Sequence, residues 1–203
     1  MTLSKQDIIT SILKNKLMCD NRGNLYGDDY LSYTSYTTGM WQFPDELAEM
    51  LLYLQDKKVE SFLNIGTFNG LTFNLMSDFF NIFRKTVCIT LDPFDFKPVK
   101  SINYIYESKT SIDYSGINFD FVFIDGDHSY KESKKDYDNV GKYAKYCAFH
   151  DIDDSYIRET KGYEGGIPKL WEELKAKNSY IEFNSNKKNK KIMGIGLIYD
   201  KKI

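Results

Sequence analysis

The chain has 203 residues, of which 42% are hydrophobic and 28% charged, and its 27 Lys and Arg against 29 Asp and Glu leave a formal net charge of −2. A chain of this length buries enough apolar surface to be stable as one globular domain, which excludes a small scaffold held by disulfides or metals. Its nearly balanced charge provides no overall field that would attract a polyanion, so we expect no nucleic-acid partner.

The first 43 residues predict a helix and then a long aromatic loop. Ser4 can cap a helix that runs to about Leu17, with apolar residues at helical spacing. Charged residues interrupt this stretch, and no later stretch reaches the roughly 20 apolar residues of a membrane helix, so we expect a cytoplasmic protein without a membrane partner. From Cys19 to Phe43 aromatic rings stand among small polar residues, which suits either a loop pinned by its rings or a lid over a substrate.

From Pro44, which opens a second helix, apolar runs alternate with helical patterns. The predicted strands are Ser61–Ile65, Thr86–Leu91, Ile102–Tyr106, Phe119–Ile124, Tyr146–Phe149, Tyr180–Phe183 and Ile192–Tyr199. The predicted helices between them are Asn69–Phe83, Tyr130–Tyr143 and Ile167–Lys177. This alternation is typical of a parallel sheet with helices on both faces, and the last two strands predict an antiparallel pair at its edge. We expect one α/β domain over residues 1–203, with residues 1–58 forming amino-terminal helices and the lid-like loop and residues 59–203 the sheet core.

A glycine turn follows the first predicted strand, with the sequence Gly66-Thr67-Phe68-Asn69-Gly70. Glycines allow a close backbone approach to a ligand, and the amino end of the next helix offers free N–H groups. The dinucleotide fingerprint needs a glycine at the position of Phe68, and the phosphate loop needs Gly-Lys-Ser/Thr, so phosphate ligands are disfavoured. Asp92 ends the second strand beside this turn, where a carboxylate can accept ribose hydroxyls. Together these residues predict an adenosine-containing cofactor without phosphates.

The chain has two histidines, and both lie beside carboxylates where a predicted strand ends. Asp125 and His128 follow the fourth strand, and His150 and Asp151 follow the fifth. If these strands are parallel neighbours, their ends lie roughly 5 Å apart, so Asp125 and Asp151 can converge as ligands of Mg²⁺. His128 suits a general base, because its reference pKa is near ~6.5. The alternative is a loop histidine that bonds to a backbone carbonyl.

Several of these segments resemble class I S-adenosylmethionine-dependent methyltransferases. Phe62–Gly70 is similar to their motif I, and Phe121–Tyr130 is similar to their fourth-strand motif. His150-Asp151, Trp41–Pro44 and Gly166–Trp171 resemble a branch that holds macrolide-sugar O-methyltransferases and cephalosporin-hydroxylase-like proteins. The resemblance implies a Rossmann-like, mostly parallel seven-stranded sheet with an antiparallel carboxyl-terminal edge strand and helices on both faces.

The resemblance also implies roles for single residues. The turn would contact the methionine part of S-adenosylmethionine, Asp92 would hold the ribose, and Ser108, or as second choice Glu107, would lie near adenine. Asp125 would border the cofactor and bind Mg²⁺ or another divalent cation together with Asp151. His150 stands where the sugar enzymes have a second acidic residue, so it would bind the metal, orient a ligand, or do neither. His128 would be the general base.

The sequence therefore predicts an S-adenosylmethionine-dependent, metal-assisted O-methyltransferase that acts on a sugar or another vicinal-hydroxyl small molecule or glycan. A protein of the same fold that binds the cofactor without catalysis is the alternative. A nicotinamide-dependent oxidoreductase is a third candidate, which the missing glycine at Phe68 disfavours. The oligomeric state stays open, with a homo-oligomer among the expectations.

Overall fold

The structure, a computed structural model, describes residues 2–14, 40–94, 98–184 and 193–200. Its helices are α1 (Lys5–Lys14), α2 (Pro44–Gln55), α3 (Leu71–Phe83), α4 (Tyr130–Asn139), α5 (Ser155–Glu159) and α6 (Gly166–Lys175). Its strands are β1 (Ser61–Ile65), β2 (Val87–Leu91), β3 (Ile105–Glu107), β4 (Phe121–Ile124), β5 (Tyr146–His150), β6 (Ser179–Phe183) and β7 (Ile195–Tyr199). Residues 15–39, with the predicted end of the first helix and most of the predicted aromatic loop, and residues 185–192, with the segment between the last two predicted strands, lie outside the described residues.

The seven strands form one sheet in the order β3-β2-β1-β4-β5-β7-β6. The strands from β3 to β5 pair in parallel, whereas β7 pairs antiparallel with β5 on one side and with β6 on the other. This confirms the predicted mostly parallel sheet with an antiparallel pair at one edge. Because β7 inserts between β5 and β6, the outermost strand on that side is β6.

Helices cover both faces of the sheet, as the alternating pattern predicts. Residues of α1, α2 and α3 share one buried apolar cluster with Phe62, Phe121 and Ala148 of the strands. The opposite cluster joins α4 and α6 to the alternate strand positions, which include Val122 and Phe149. Successive residues of a strand point to opposite faces, so β4, buried at each of its four positions, contributes to both cores.

Local sequence signals explain several element boundaries. Ser4 and Asp7 form a reciprocal cap of α1, since Ser4 N donates to Asp7 Oδ2 and Asp7 N donates to Ser4 Oγ. Pro44 occupies the first turn of α2, as predicted. By contrast, α3 begins at Leu71 rather than at the predicted Asn69, because Gly70 adopts a left-handed conformation with φ 82°. None of the helices in the described part of the chain combines the length and apolar character that crossing a membrane requires.

Candidate functional site

Four strand ends form one row across the carboxyl edge of the sheet. Leu91 of β2 pairs with Ile65 of β1, Ile65 pairs with Ile124 of β4, and Ile124 pairs with Phe149 of β5. The next residues along the chain are Asp92, Gly66 and Asp125, which directly follow their strands, and His150, which is the last residue of β5 rather than the first after it as predicted. The strand register therefore brings the predicted cofactor residues and the predicted metal residues to the same level of the same edge.

The turn after β1 needs glycine at its first position. Gly66 has φ 95°, and a Cβ atom added there would lie 2.0 Å from the backbone carbonyl oxygen of Asp125. Only a residue without a side chain allows this approach between the end of β1 and the end of β4. Phe68 also has positive φ, at 46°, although the dinucleotide fingerprint would place glycine there. The turn thus brings the ends of β1 and β4 together.

Asp92 organises this turn through its carboxylate. Oδ2 accepts hydrogen bonds from the backbone N–H groups of Thr67 and Phe68, each at 3.0 Å, and Oδ1 accepts one from Phe94 N at 3.0 Å. One oxygen of the predicted ribose-binding carboxylate is therefore occupied by the turn itself. A pocket opens beside it, and the predicted adenine residue Ser108 is among its lining residues, which also include Thr67, Asp92, Phe94, Lys100 and Tyr106.

Asn64 connects the turn to β2 by hydrogen bonds. Its Nδ2 donates to the carbonyl oxygen of Gly66 at 2.9 Å and to Thr90 Oγ1 at 2.8 Å. Thr90 Oγ1 also lies 2.8 Å from Thr67 Oγ1. Here Asn64 supports the backbone of the turn from below.

The second half of the edge gathers two carboxylates and both histidines. His150 Nδ1 lies 3.1 Å from Asp125 Oδ1 and 3.3 Å from Asp151 Oδ2. His128 Nε2 lies 3.8 Å from Asp125 Oδ1 and 3.5 Å from Asp151 Oδ2. The predicted convergence of Asp125 and Asp151 is therefore present, although 26 positions separate them. Donor atoms of Asp125, His128 and Asp151 lie within 4.8 Å of one another, close enough to hold one metal ion.

The two histidines differ in their access to solvent. The side chain of His150 is 2% exposed, whereas that of His128 is 34% exposed. His128 is held from behind, because Ile167 N donates to its carbonyl oxygen at 3.1 Å and a Cβ atom on Gly166 would lie 2.6 Å from that oxygen. The Gly166–Trp171 segment thus supports the loop of His128, whose ring faces the two carboxylates.

The opposite charges of the cluster stabilise one another. Burial lowers the pKa of His150, but Asp151 and Asp125 outweigh this and raise it well above the usual histidine range. Burial likewise opposes ionisation of Asp125, but the neighbouring histidines keep its pKa below the usual range. Asp151 adds backbone strain, since its φ is 61°. Once the imidazole of His150 loses its proton, it and the two carboxylates are a donor set that a divalent cation can bind.

Two buried side chains at this site have no predicted role. Gln42 donates from Nε2 to Asp125 Oδ2 at 2.5 Å. Glu46, which is 1% exposed, accepts a hydrogen bond from Gly194 N at 3.2 Å, and burial raises its pKa to about 8. Gln42 lies in the Trp41–Pro44 segment that resembles the sugar O-methyltransferase branch, and Glu46 lies in the first turn of α2. Neither signal assigned the side chain a role at this site. Gln42 and Asp125 are 83 positions apart and Glu46 and Gly194 are 148 positions apart, so both contacts depend on the tertiary structure.

No protein-family model matches the chain, and no curated protein matches it. Solved structures do match its fold. The MycE methyltransferase of the mycinamycin biosynthetic pathway, in complex with Mg, SAH and mycinamycin VI, aligns over 88% of this chain and 52% of its own at 12% identity and a TM-score of 0.54. This chain spans about half the length of MycE. Cofactor-bound Rv0187 from MTB aligns over 80% and 83%, at 13% identity and a TM-score of 0.58.

The O-methyltransferase TomG from Streptomyces achromogenes, which is involved in tomaymycin synthesis and was solved in complex with SAM, matches along nearly its whole length. The alignment covers 98% of this chain and 100% of TomG, at 13% identity and a TM-score of 0.55. At such identities the likeness establishes the fold alone. The fold of this chain is thus similar to that of proteins solved in complex with SAM or SAH.

Proposed function

We propose that the chain, which has the Rossmann-like fold of class I methyltransferases, is an S-adenosylmethionine-dependent O-methyltransferase assisted by a divalent cation. One observation carries the proposal: the glycine turn with Asp92 lies beside the cluster of Asp125, His128, His150 and Asp151 at one sheet edge. A methyltransferase must bring the cofactor's methyl carbon within reach of an activated acceptor oxygen, and a candidate cofactor site beside a candidate acceptor site supports this requirement.

The cofactor half suits S-adenosylmethionine because it offers a tight turn and a carboxylate but no phosphate-binding loop. Asp92 has one oxygen that accepts a single backbone N–H group, which leaves an acceptor for a ribose hydroxyl. The adjoining pocket, with Ser108 in its lining, is the place for adenine. Gly66 and Gly70 with their neighbours would face the methionine part, as the resemblance implies.

The acceptor half fits a divalent cation by the chemistry of its donors. We assign Asp125, Asp151 and His150 to the cation, because Nδ1 of His150 is nearer to both carboxylates than is Nε2 of His128. Neighbouring ligands of an octahedral site with bonds of ~2.1 Å stand about 3 Å apart, which the His150 distances approach. When bound, the cation lowers the pKa of a substrate hydroxyl.

We assign His128 the role of the general base that removes the proton of the acceptor hydroxyl. A sulfonium methyl group is already activated, so this chain has to align the acceptor oxygen and remove its proton. The ring of His128 is the more exposed imidazole of the cluster, and its Nε2 can reach a hydroxyl that lies over Asp125 and Asp151. A cation that binds two neighbouring hydroxyls favours a sugar or another vicinal diol, so we propose a small-molecule or glycan acceptor.

Ligand-induced thermal shifts test the cofactor first. We expect S-adenosylmethionine and S-adenosylhomocysteine to raise the melting temperature of the full chain, and NAD to leave it unchanged, with or without Mg²⁺. Stabilisation by NAD alone would favour an oxidoreductase instead. A cofactor shift without methyl transfer to any member of a wide panel of sugars and vicinal diols would favour a binding protein without catalysis.

Variants then test the assigned chemistry. His128→Ala and Asp125→Ala, folded and loaded with cofactor, should transfer methyl groups at least ~100-fold more slowly than the parent. Asp153→Ala, which removes a carboxylate two positions after Asp151, is the matched control and should retain parental turnover. Equal rates for the parent and both site variants would refute the assignment.

A further inference from the structure

Gln42 lies between the two halves of the candidate site, just before α2. Its side chain is 2% exposed. Nε2 donates a hydrogen bond to Asp125 Oδ2, and Oε1 accepts one from Thr72 Oγ1, both at 2.5 Å. Thr72 stands in the first turn of α3, directly after the glycine turn. One amide therefore joins the segment before α2, the start of α3 and the end of β4.

The surrounding groups allow only one orientation of this amide. An ionised carboxylate can only accept hydrogen bonds, so the NH₂ group of Gln42 faces Asp125. Its carbonyl oxygen then faces Thr72, whose hydroxyl donates to it. The opposite oxygen of Asp125, Oδ1, lies 3.1 Å from His150 Nδ1. The two oxygens of Asp125 thus have separate tasks, and Gln42 occupies the one that points away from the histidine.

We propose that Gln42 is a positioning residue that fixes the carboxylate of Asp125, so that Oδ1 is presented to His150 and to the bound cation. Thr72 sets the direction of the amide and thereby connects the cofactor turn to the acceptor half. This inference deepens the proposed function and rests on its metal assignment. Hydrogen-bond donors behind a metal-binding carboxylate typically change metal affinity by roughly 10- to 100-fold when they are removed.

The test compares Gln42→Leu with Gln55→Leu in the full chain. Gln55 is a second buried glutamine, at the far end of α2, and its Oε1 accepts from Leu3 N at 2.8 Å. With S-adenosylhomocysteine present, Mn²⁺ binding is followed by electron paramagnetic resonance. We expect Gln42→Leu to weaken Mn²⁺ binding about tenfold while cofactor affinity stays within about twofold of the parent. Gln55→Leu should change stability alone.

A second readout needs no metal. The chain has two histidines, so the ring signals of His128 and His150 can be resolved by nuclear magnetic resonance. Gln42→Leu should shift the His150 ring signals at fixed pH, because the Asp125 carboxylate is released, and Gln55→Leu should not. If Gln42→Leu fails to fold, Thr72→Val takes its place, since it frees the amide, and Thr72→Ser should restore parental behaviour.

The outcomes separate this inference from the proposed function. A parent that binds S-adenosylhomocysteine but not Mn²⁺ refutes the metal assignment, and the His150 signals still decide the role of Gln42. Parental Mn²⁺ affinity together with parental His150 signals in folded Gln42→Leu or Thr72→Val would overturn the positioning role. Loss of Mn²⁺ affinity in Gln55→Leu to the same extent would also overturn it.

Discussion

The two halves of the carboxyl edge are built from different chemical groups. Between β1 and β2 the site is a backbone turn, whose conformation depends on Gly66 and on the hydrogen bonds from Thr67 N and Phe68 N to the Asp92 carboxylate. Between β4 and β5 it consists of side chains, since Asp125, His128, His150 and Asp151 face one another. A site made of backbone is sensitive to conformation, whereas a site made of side chains is sensitive to charge. Each half should therefore fail under a different kind of substitution.

Gly66→Ala should have the largest effect, because Gly66 contacts Asp125 where the cofactor half meets the acceptor half. The added Cβ atom would lie 2.0 Å from the Asp125 carbonyl oxygen at a residue with φ 95°. We expect a loss of about 3 kcal/mol or more in the free energy of unfolding and no measurable binding of S-adenosylhomocysteine.

Gly116→Ala is the control, since Gly116 has φ 78° and a Cβ atom added there would meet no atom of the described residues within 4 Å. It should cost only about 1 kcal/mol. Similar losses in the two denaturation curves would mean that the contact is unimportant.

Asp151→Asn removes a charge from the acceptor half and should impair that half while the cofactor half keeps its function. Asparagine tolerates the left-handed conformation of Asp151, at φ 61°, so the backbone is preserved. We expect methyl transfer to fall about 100-fold while the dissociation constant for S-adenosylhomocysteine stays within about twofold. Kinetics and calorimetry on the same samples measure both quantities, with Asp153→Asn as the neighbouring control. A variant that loses cofactor binding in parallel with turnover would show that the two halves are not independent.

Asp92→Asn should weaken the cofactor half and spare the acceptor half. The amide replaces a carboxylate that accepts three backbone N–H groups, so the turn loses charge-assisted hydrogen bonds. We expect about tenfold weaker binding of S-adenosylhomocysteine, with turnover at saturating cofactor near the parental value. Asp120→Asn is a close control, because Asp120 accepts from Glu60 N and Ser61 N at the opposite edge of the sheet. If Asp120→Asn reduced cofactor affinity equally, the effect would reflect general stability.

Glu46→Gln should have the smallest effect and should appear as a pH dependence of stability. Burial raises the pKa of Glu46 from 4.5 to about 8, so between these pH values the folded chain holds a proton that the unfolded chain releases. The free energy of unfolding of the parent therefore falls as pH rises through this window. Glutamine can still accept from Gly194 N and carries no charge. We expect the variant to gain about 1 kcal/mol or more over the parent between about pH 5 and pH 7 in thermal or urea unfolding. Parallel stability curves for parent and variant would contradict this, and Glu49→Gln on the outer part of α2 serves as control.

Local patterns predicted the sheet well, because strand alternation and helix capping act over a few residues. The predicted Ser61–Ile65 is the observed β1, and Pro44 begins α2 as expected. The helix α5 was missed, since it has five residues and its signal is the single cap Asp154, which accepts from Tyr156 N and Ile157 N. The strand β3 is shorter than predicted and begins at Ile105 rather than Ile102, because its pairing with β2 begins at Ile89↔Ile105.

The sequence alone determined which chemistry this chain can attempt. The features that indicate this chemistry are local: a glycine turn without a phosphate loop, Asp92 at a strand end, and two histidines beside carboxylates. Each is recognised from the residue type and from its position at the end of a predicted strand. The tertiary structure decided which of these groups meet. Strand pairing placed Gly66 against Asp125 and Asp125 beside His150, and helix packing brought Gln42 to Asp125 across 83 positions. Such contacts depend on register and packing between distant segments, which short-range patterns do not encode.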